Sequence, residues 1–240
     1  MIFYRIYQIF IMAPLLLVLT IADSLFTFFM CLLGLGRWAG YKPQVLWGRL
    51  FCWLTFVNVK VVGREHLEAG RSYLFVANHQ GAYDIFAVYG WLGHDFRWMM
   101  KQSLRNIPFV GFACAALHQI FVDNSSVHGI RKTMQDAETE LKKGMSLVVF
   151  PEGARTLDGK MHSFKKGAFK LAIEFNLPVV PVTIDGAYKV MPRRSKLPRP
   201  GVIHLTIHPP IFPGPEGHKF DELMATSRET IASSLPEDQR

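Results

Sequence analysis

An α/β domain with a mixed central sheet flanked by helices, preceded by an N-terminal two-helix membrane anchor, is the architecture this 240-residue sequence predicts. Three observations predict it. Beyond residue 58, short β-like runs alternate with helical stretches, the texture of an α/β fold. Before it, residues 9–22 (IFIMAPLLLVLTIA) and 24–36 (SLFTFFMCLLGLG) carry no charge, and their joint length exceeds the roughly 20 residues a spanning helix needs. The chain is also both greasy and basic: half its residues are hydrophobic, yet 27 Lys+Arg against 19 Asp+Glu give a formal net charge of +8. That balance suits an anionic membrane surface, an anionic substrate or nucleic acid.

The elements follow in chain order, with residues 1–58 as the membrane-associated unit and 59–240 as the α/β domain. In the first unit Asp23 separates the two apolar runs and Pro14 sits inside the first. A cleavable signal fits poorly, because the stretch is too long and Ala39 lacks a partner for an A-x-A site. Residues 44–58 (QVLWGRLFCWLTFVN) hold Trp47, Arg49 and Trp53, the composition of an interfacial helix. The anchor therefore either spans the bilayer or dips into one leaflet. Strands are expected at 59–63, 72–77, 96–100, 119–123, 146–150, 179–184 and 202–208, where β-branched and aromatic residues cluster. Helices are expected at 84–92, 109–117, 126–143, 163–175 and 219–235. Ser125 or Ser126 caps the third and Gly144 ends it. The Pro-rich stretches 192–201 and 209–215 read as loops. Cys31, Cys52 and Cys114 stand singly, as free thiols in a reducing compartment do.

Several chemistries are excluded. The chain has no G-x-S-x-G elbow and no H-E-x-x-H. Residues 153–161 (GARTLDGKM) put five residues, not four, between the glycines, and Met161 follows the lysine, so no phosphate loop forms there. His204 and His208 share one strand face and read as structural residues, and no metal site is expected. A nucleic-acid reading has no recognition motif behind it.

What remains is His79 and Asp84 in VANHQGAYDIF (76–86). A histidine leaving a strand, with a carboxylate entering a helix five positions on, can be fixed in one tautomer and stabilised once protonated. The pair is a triad lacking its serine, so the nucleophile must come from the substrate, and a hydroxyl would serve. In FPEGART (150–156), Pro151 and Gly153 make a turn after a strand, Glu152 is an acceptor, and Arg155 is a planar fork suited to phosphate. Lys101, at the end of FRWMMK, is a second candidate phosphate partner.

NHQGAYD, KQSLRNIPFVG (101–111), IFVDN (120–124), FPEGART and VVPVTIDG (179–186) occur in one order. In this the chain resembles the glycerolipid acyltransferases, whose best-known members are the 1-acylglycerol-3-phosphate acyltransferases, over about residues 60–210. The resemblance implies that His79 takes the proton of a free glycerol hydroxyl and that Asp84 orients it. It also implies that Lys101 and Arg155 bind the substrate phosphate, with Glu152 and Gly153 shaping the glycerol site. The implied reaction acylates the sn-2 hydroxyl of lysophosphatidic acid from acyl-CoA or acyl carrier protein, with no further cofactor. The implied place is a bacterial inner membrane, with the active site facing the cytoplasm. Three residues depart from the pattern: Gly81 where serine is usual, Asn124 where arginine is frequent, and Ala154 where threonine is common. They leave open another lysolipid acceptor, or a catalytically silent lipid-binding protein of the same fold. The basic loop 189–199 (KVMPRRSKLPR) suits anionic headgroups or the phosphates of a coenzyme A donor.

Overall fold

A computed structural model describes residues 2–214 and 220–240. Seven strands, β1 (Val57–Val62), β2 (Leu74–Ala77), β3 (Phe96–Lys101), β4 (Ile120–Val122), β5 (Ser146–Val149), β6 (Val179–Asp185) and β7 (Gly201–Ile207), form one sheet in the order β1-β7-β6-β2-β5-β3-β4. Pairing is parallel throughout except between β6 and β7, so β1 and β7 run against the other five and the sheet is mixed. The middle strands β2 and β5 are buried on every residue, which explains their unbroken apolar runs. Side chains alternate between two cores. Phe75, Ala77 and Val148 face one, while Leu74, Val76, Leu147 and Val149 face the other.

Before β1 lie α1 (Ile2–Tyr7), α2 (Ala13–Leu32), α3 (Gly36–Ala39) and α4 (Lys42–Leu54). A π-helical turn, Gln8–Met12, joins α1 to α2 into one rod, Ile2–Leu32. At 1.5 Å per residue the rod is about 46 Å long. The first apolar run and the second as far as Leu32 lie in it. Pro14 directly follows the π-helical turn, where bonding has shifted to i→i+5 with Ala13 N–H donating to Gln8 O, so the continuous helix accommodates its missing N–H, and Gln44 of α4 donates to the Asp23 carboxylate at 3.0 Å.

The rod lies along the α/β domain. Tyr4 and Tyr7 donate to the carbonyls of Thr55 and Leu54, at 3.1 and 2.8 Å. Gln8 donates to Pro198 O at 2.6 Å, and Trp47 of α4 donates to Thr20 at 3.0 Å. Its outer side, from Ile2 and Phe3 through Phe10, Leu17 and Phe29 to Leu33, is exposed and apolar.

The remaining helices are α5 (Tyr83–Trp91), α6 (Val110–Ala116), α7 (Val127–Lys142), α8 (Gly167–Glu174), α9 (Ala187–Val190) and α10 (Phe220–Ser233). Ser126 caps α7, accepting from Gly129 N–H at 3.0 Å. The helix expected from 163 starts only at Gly167, because Lys165 N–H is drawn to Pro151 O at 2.9 Å. Residue 219, the expected first residue of the last helix, lies outside the described residues. The expected interfacial helix, α4, packs one face against α5. Phe51 stacks on Phe86 with centroids 4.1 Å apart, and Arg49 donates to Gly90 O at 3.0 Å. Trp47 and Arg49 therefore serve this helix pair, while Leu46 and Trp53 face outward.

Candidate active site

Strands β2, β3, β5 and β6 run in one direction, so the segments that leave their C-terminal ends meet at one edge of the sheet, where open α/β folds bind ligands. Asn78 and His79 leave β2 there. The Asn78 side chain is buried and clamps β6: its amide donates to Ile184 O at 2.9 Å, and its oxygen accepts from Ile184 N–H at 2.8 Å. This fixes the peptide entering His79. The sequence gives Asn78 no role, because its burial and its partner on β6 are set by segments distant in the chain.

His79 Nδ1 lies 2.7 Å from Asp84 Oδ2. The same oxygen accepts from the backbone N–H of Gln80, at 2.7 Å, and of Gly81, at 2.9 Å. The turn thus wraps the carboxylate that opens α5. The Asp84 side chain is fully buried and the His79 side chain keeps 14% exposure. A buried carboxylate acceptor selects the tautomer with the proton on Nδ1, which leaves Nε2 as the ring nitrogen for a substrate proton. Phe150 lies flat on the imidazole, with centroids 3.9 Å apart and planes within 6°. Trp98 backs Phe150 at 5.2 Å. The ring is therefore held by one hydrogen bond and one stacking face.

The FPEGART turn leaves β5 beside it. Glu152 is buried, and its two oxygens accept from the backbone N–H groups of His79, at 2.7 Å, and His162, at 2.9 Å. Burial nevertheless raises its pKa, against the pull of those donors. What Glu152 holds in this structure is the peptide of the histidine. Thr156 N–H returns to His79 O at 3.0 Å, and Gly153 closes the turn on Phe150 O at 3.0 Å. Lys101 is exposed two residues beyond the Met99–Val149 pair, so β3 delivers it to the same edge. Arg155 is half-buried, and its carbonyl accepts from Arg193 of the basic loop at 3.2 Å. Asn124 is exposed before α7.

The family model described as Acyltransferase matches residues 58–185. The chain belongs to the acyltransferase family. A 1-acyl-sn-glycerol-3-phosphate acyltransferase of Chlamydomonas reinhardtii is 34% identical over 184 residues, 75% of this chain and 54% of the relative. A chloroplastic 1-acyl-sn-glycerol-3-phosphate acyltransferase of Arabidopsis thaliana is 32% identical over 192 residues, 79% of this chain and 52% of the relative. The chain thus spans about half the length of these two relatives. The crystal structure of the 1-acyl-sn-glycerophosphate acyltransferase PlsC of Thermotoga maritima superposes with a TM-score of 0.74 at 29% identity. It covers 90% of this chain and 93% of that one.

Within this chain the departure at Gly81 has a geometric cause. A Cβ there would stand 2.5 Å from Ala187 O and 3.0 Å from Met191 O. Ala82 N–H donates to Met191 O at 3.3 Å, so α9 and the start of the basic loop are drawn tightly over the turn.

Proposed function

We propose that this protein moves an acyl chain from a thioester, acyl-CoA or acyl carrier protein, to the free sn-2 hydroxyl of 1-acyl-glycerol-3-phosphate, making phosphatidic acid at a membrane surface. The observation that carries it is the 2.7 Å contact between His79 Nδ1 and Asp84, on a chain whose family and curated relatives are acyltransferases. Nε2 accepts the proton as the hydroxyl oxygen attacks the thioester carbonyl. Asp84 stabilises the imidazolium that forms. The tetrahedral adduct then expels the thiolate, the C–S bond breaks, and Nε2 returns the proton to sulfur. Lys101 and Arg155 neutralise the phosphate. Holding two substrates in line supplies much of the acceleration, and the positioned base adds roughly 10²–10⁴-fold.

The membrane surface enters because the outer side of the Ile2–Leu32 rod is apolar and exposed, with its inner side bonded to the domain. A helix held along its length in this way lies in one leaflet with the domain against the headgroups. The free thiols of Cys31, Cys52 and Cys114 suit the cytoplasmic face of a bacterial inner membrane.

Detergent-purified full-length chain, labelled acyl-CoA or acyl carrier protein, and lysophosphatidate, glycerol 3-phosphate or other lysolipids as acceptors make the test. Wild type is expected to acylate lysophosphatidate in preference, and His79→Ala to be slower by about 10²–10⁴-fold. Equal rates for the two proteins would reject the mechanism, and preference for another lysolipid would reject the acceptor.

A further inference from the structure

The segment after Lys101 is not used by the reaction just described, and it is unusual. Residues 101–109 are exposed without a break. Among them Leu104, Ile107 and Phe109 are 37%, 42% and 38% exposed, and Phe112, at the start of α6, is 38% exposed. Phe109 holds φ at +63°, a region that a bulky L-residue enters only under strain. The γ-turn that imposes it is closed by Val110 N–H on Pro108 O at 2.8 Å. The backbone is thus held in a strained form that turns an aromatic ring toward solvent.

This patch does not stand alone. The Phe112 ring meets Phe28 of α2 edge-on, with centroids 5.1 Å apart, and Phe28 meets Phe29, itself exposed on the outer side of the rod. The apolar surface is therefore continuous from the rod to the 104–112 segment. Arg105 does not oppose insertion, since its guanidinium lies over the Phe121 ring at 5.4 Å, back against the domain. Gln102, Ser103 and Asn106 limit the segment to interfacial depth.

From this continuity we infer that residues 104–112 are a second membrane-inserting element, dipping into the leaflet that holds the rod. The inference rests on the reading of the rod as membrane-embedded. Its consequence concerns the acceptor. Lys101 immediately precedes the segment, so insertion sets its ammonium at headgroup depth, where the phosphate of a lysolipid still in the bilayer lies. The lipid then reaches His79 without leaving the membrane.

The test uses single cysteines in the full chain with Cys31, Cys52 and Cys114 replaced by alanine, labelled with an environment-sensitive dye. Phe10→Cys reports on the rod, Ile107→Cys on the segment, and Lys132→Cys, on the exposed face of α7, on water. Vesicles of phosphatidylcholine and phosphatidylglycerol carry nitroxides on their acyl chains. The result expected is quenching at positions 10 and 107 and none at 132. Quenching at 10 without 107 overturns the inference and leaves the rod in the membrane. Quenching at neither overturns both. Should the cysteine-free chain fail to fold, Ile107→Asp with Phe109→Asp in the wild-type chain decides. Acylation of vesicle-borne lysophosphatidate is expected to fall several-fold while the rate on acceptor dispersed in detergent stays at the wild-type level. Equal rates on vesicles would overturn the inference.

Discussion

Asp84 Oδ2 serves three donors at once, His79 Nδ1 and two backbone N–H groups, so the orientation of the base and the shape of its turn are one structure. Gly81 is its tightest point. Gly81→Ser, which would restore the usual family residue, is expected to destabilise the fold by about 1–3 kcal/mol, as overpacking does, because the new Cβ meets backbone rather than a movable side chain. Thermal unfolding of purified protein checks it, and an unchanged Tm would show that α9 yields freely. Glu152 gives a pH prediction. Burial raises its pKa above the ordinary 4.5, so the folded chain holds that proton more tightly than the unfolded chain. Its contribution is full below 4.5 and is lost as pH rises through the folded value. The stability of wild type relative to Glu152→Gln should therefore fall with rising pH across that window, as read from urea unfolding at stepped pH. A gap that widened would reverse the assignment.

At the scale of elements, the helix carrying Asp84 is braced by α4. Gly48 of α4 lies where a Cβ would stand 2.8 Å from Phe86 O and 3.1 Å from Gly90 N, so the two helices cross almost backbone on backbone. Gly48→Leu is expected to push α4 off α5, lowering stability by about 1–3 kcal/mol and reducing acyl transfer more than substrate binding, since Asp84 moves with α5. Separate measurement of kcat and KM distinguishes this from simple loss of folded protein. The same packing gives Trp47 and Arg49 a second role beside the interfacial one their composition suggests. Their composition fits a membrane surface, but the partner within reach is the aromatic face of α5, with the Trp47 ring 5.0 Å from Phe86. Composition reports what a side chain tolerates, and the nearest apolar face decides which contact it makes.

For the whole molecule, the rod and α4 differ in kind. The rod touches the domain through hydrogen bonds and a few apolar contacts, such as Phe28 on Phe112, and leaves its outer side bare, whereas α4 covers α5, and β1 begins at Val57 within the sheet. Deleting residues 2–33 is expected to yield a folded domain that sediments with membranes far less than the full chain does, while deleting 1–58 removes α4 and the start of β1 and leaves insoluble protein. Full-length chain should stay on membranes through a high-salt wash, because insertion is not screened as charge pairing is. Release by salt alone would show that the basic loop, not the rod, holds it. The sequence by itself determined all seven strands, the five longer helices that follow them in the domain, the apolar rod and the His79–Asp84 pair, because each rests on local periodicity or short spacing. Only the tertiary structure decided that Asn78 clamps β6, that Phe150 lies under the base, that Glu152 holds a peptide, and that Gly81 is required by a carbonyl more than a hundred residues away. Those contacts join segments distant in sequence, and nothing local in the chain records which backbone will arrive beside it.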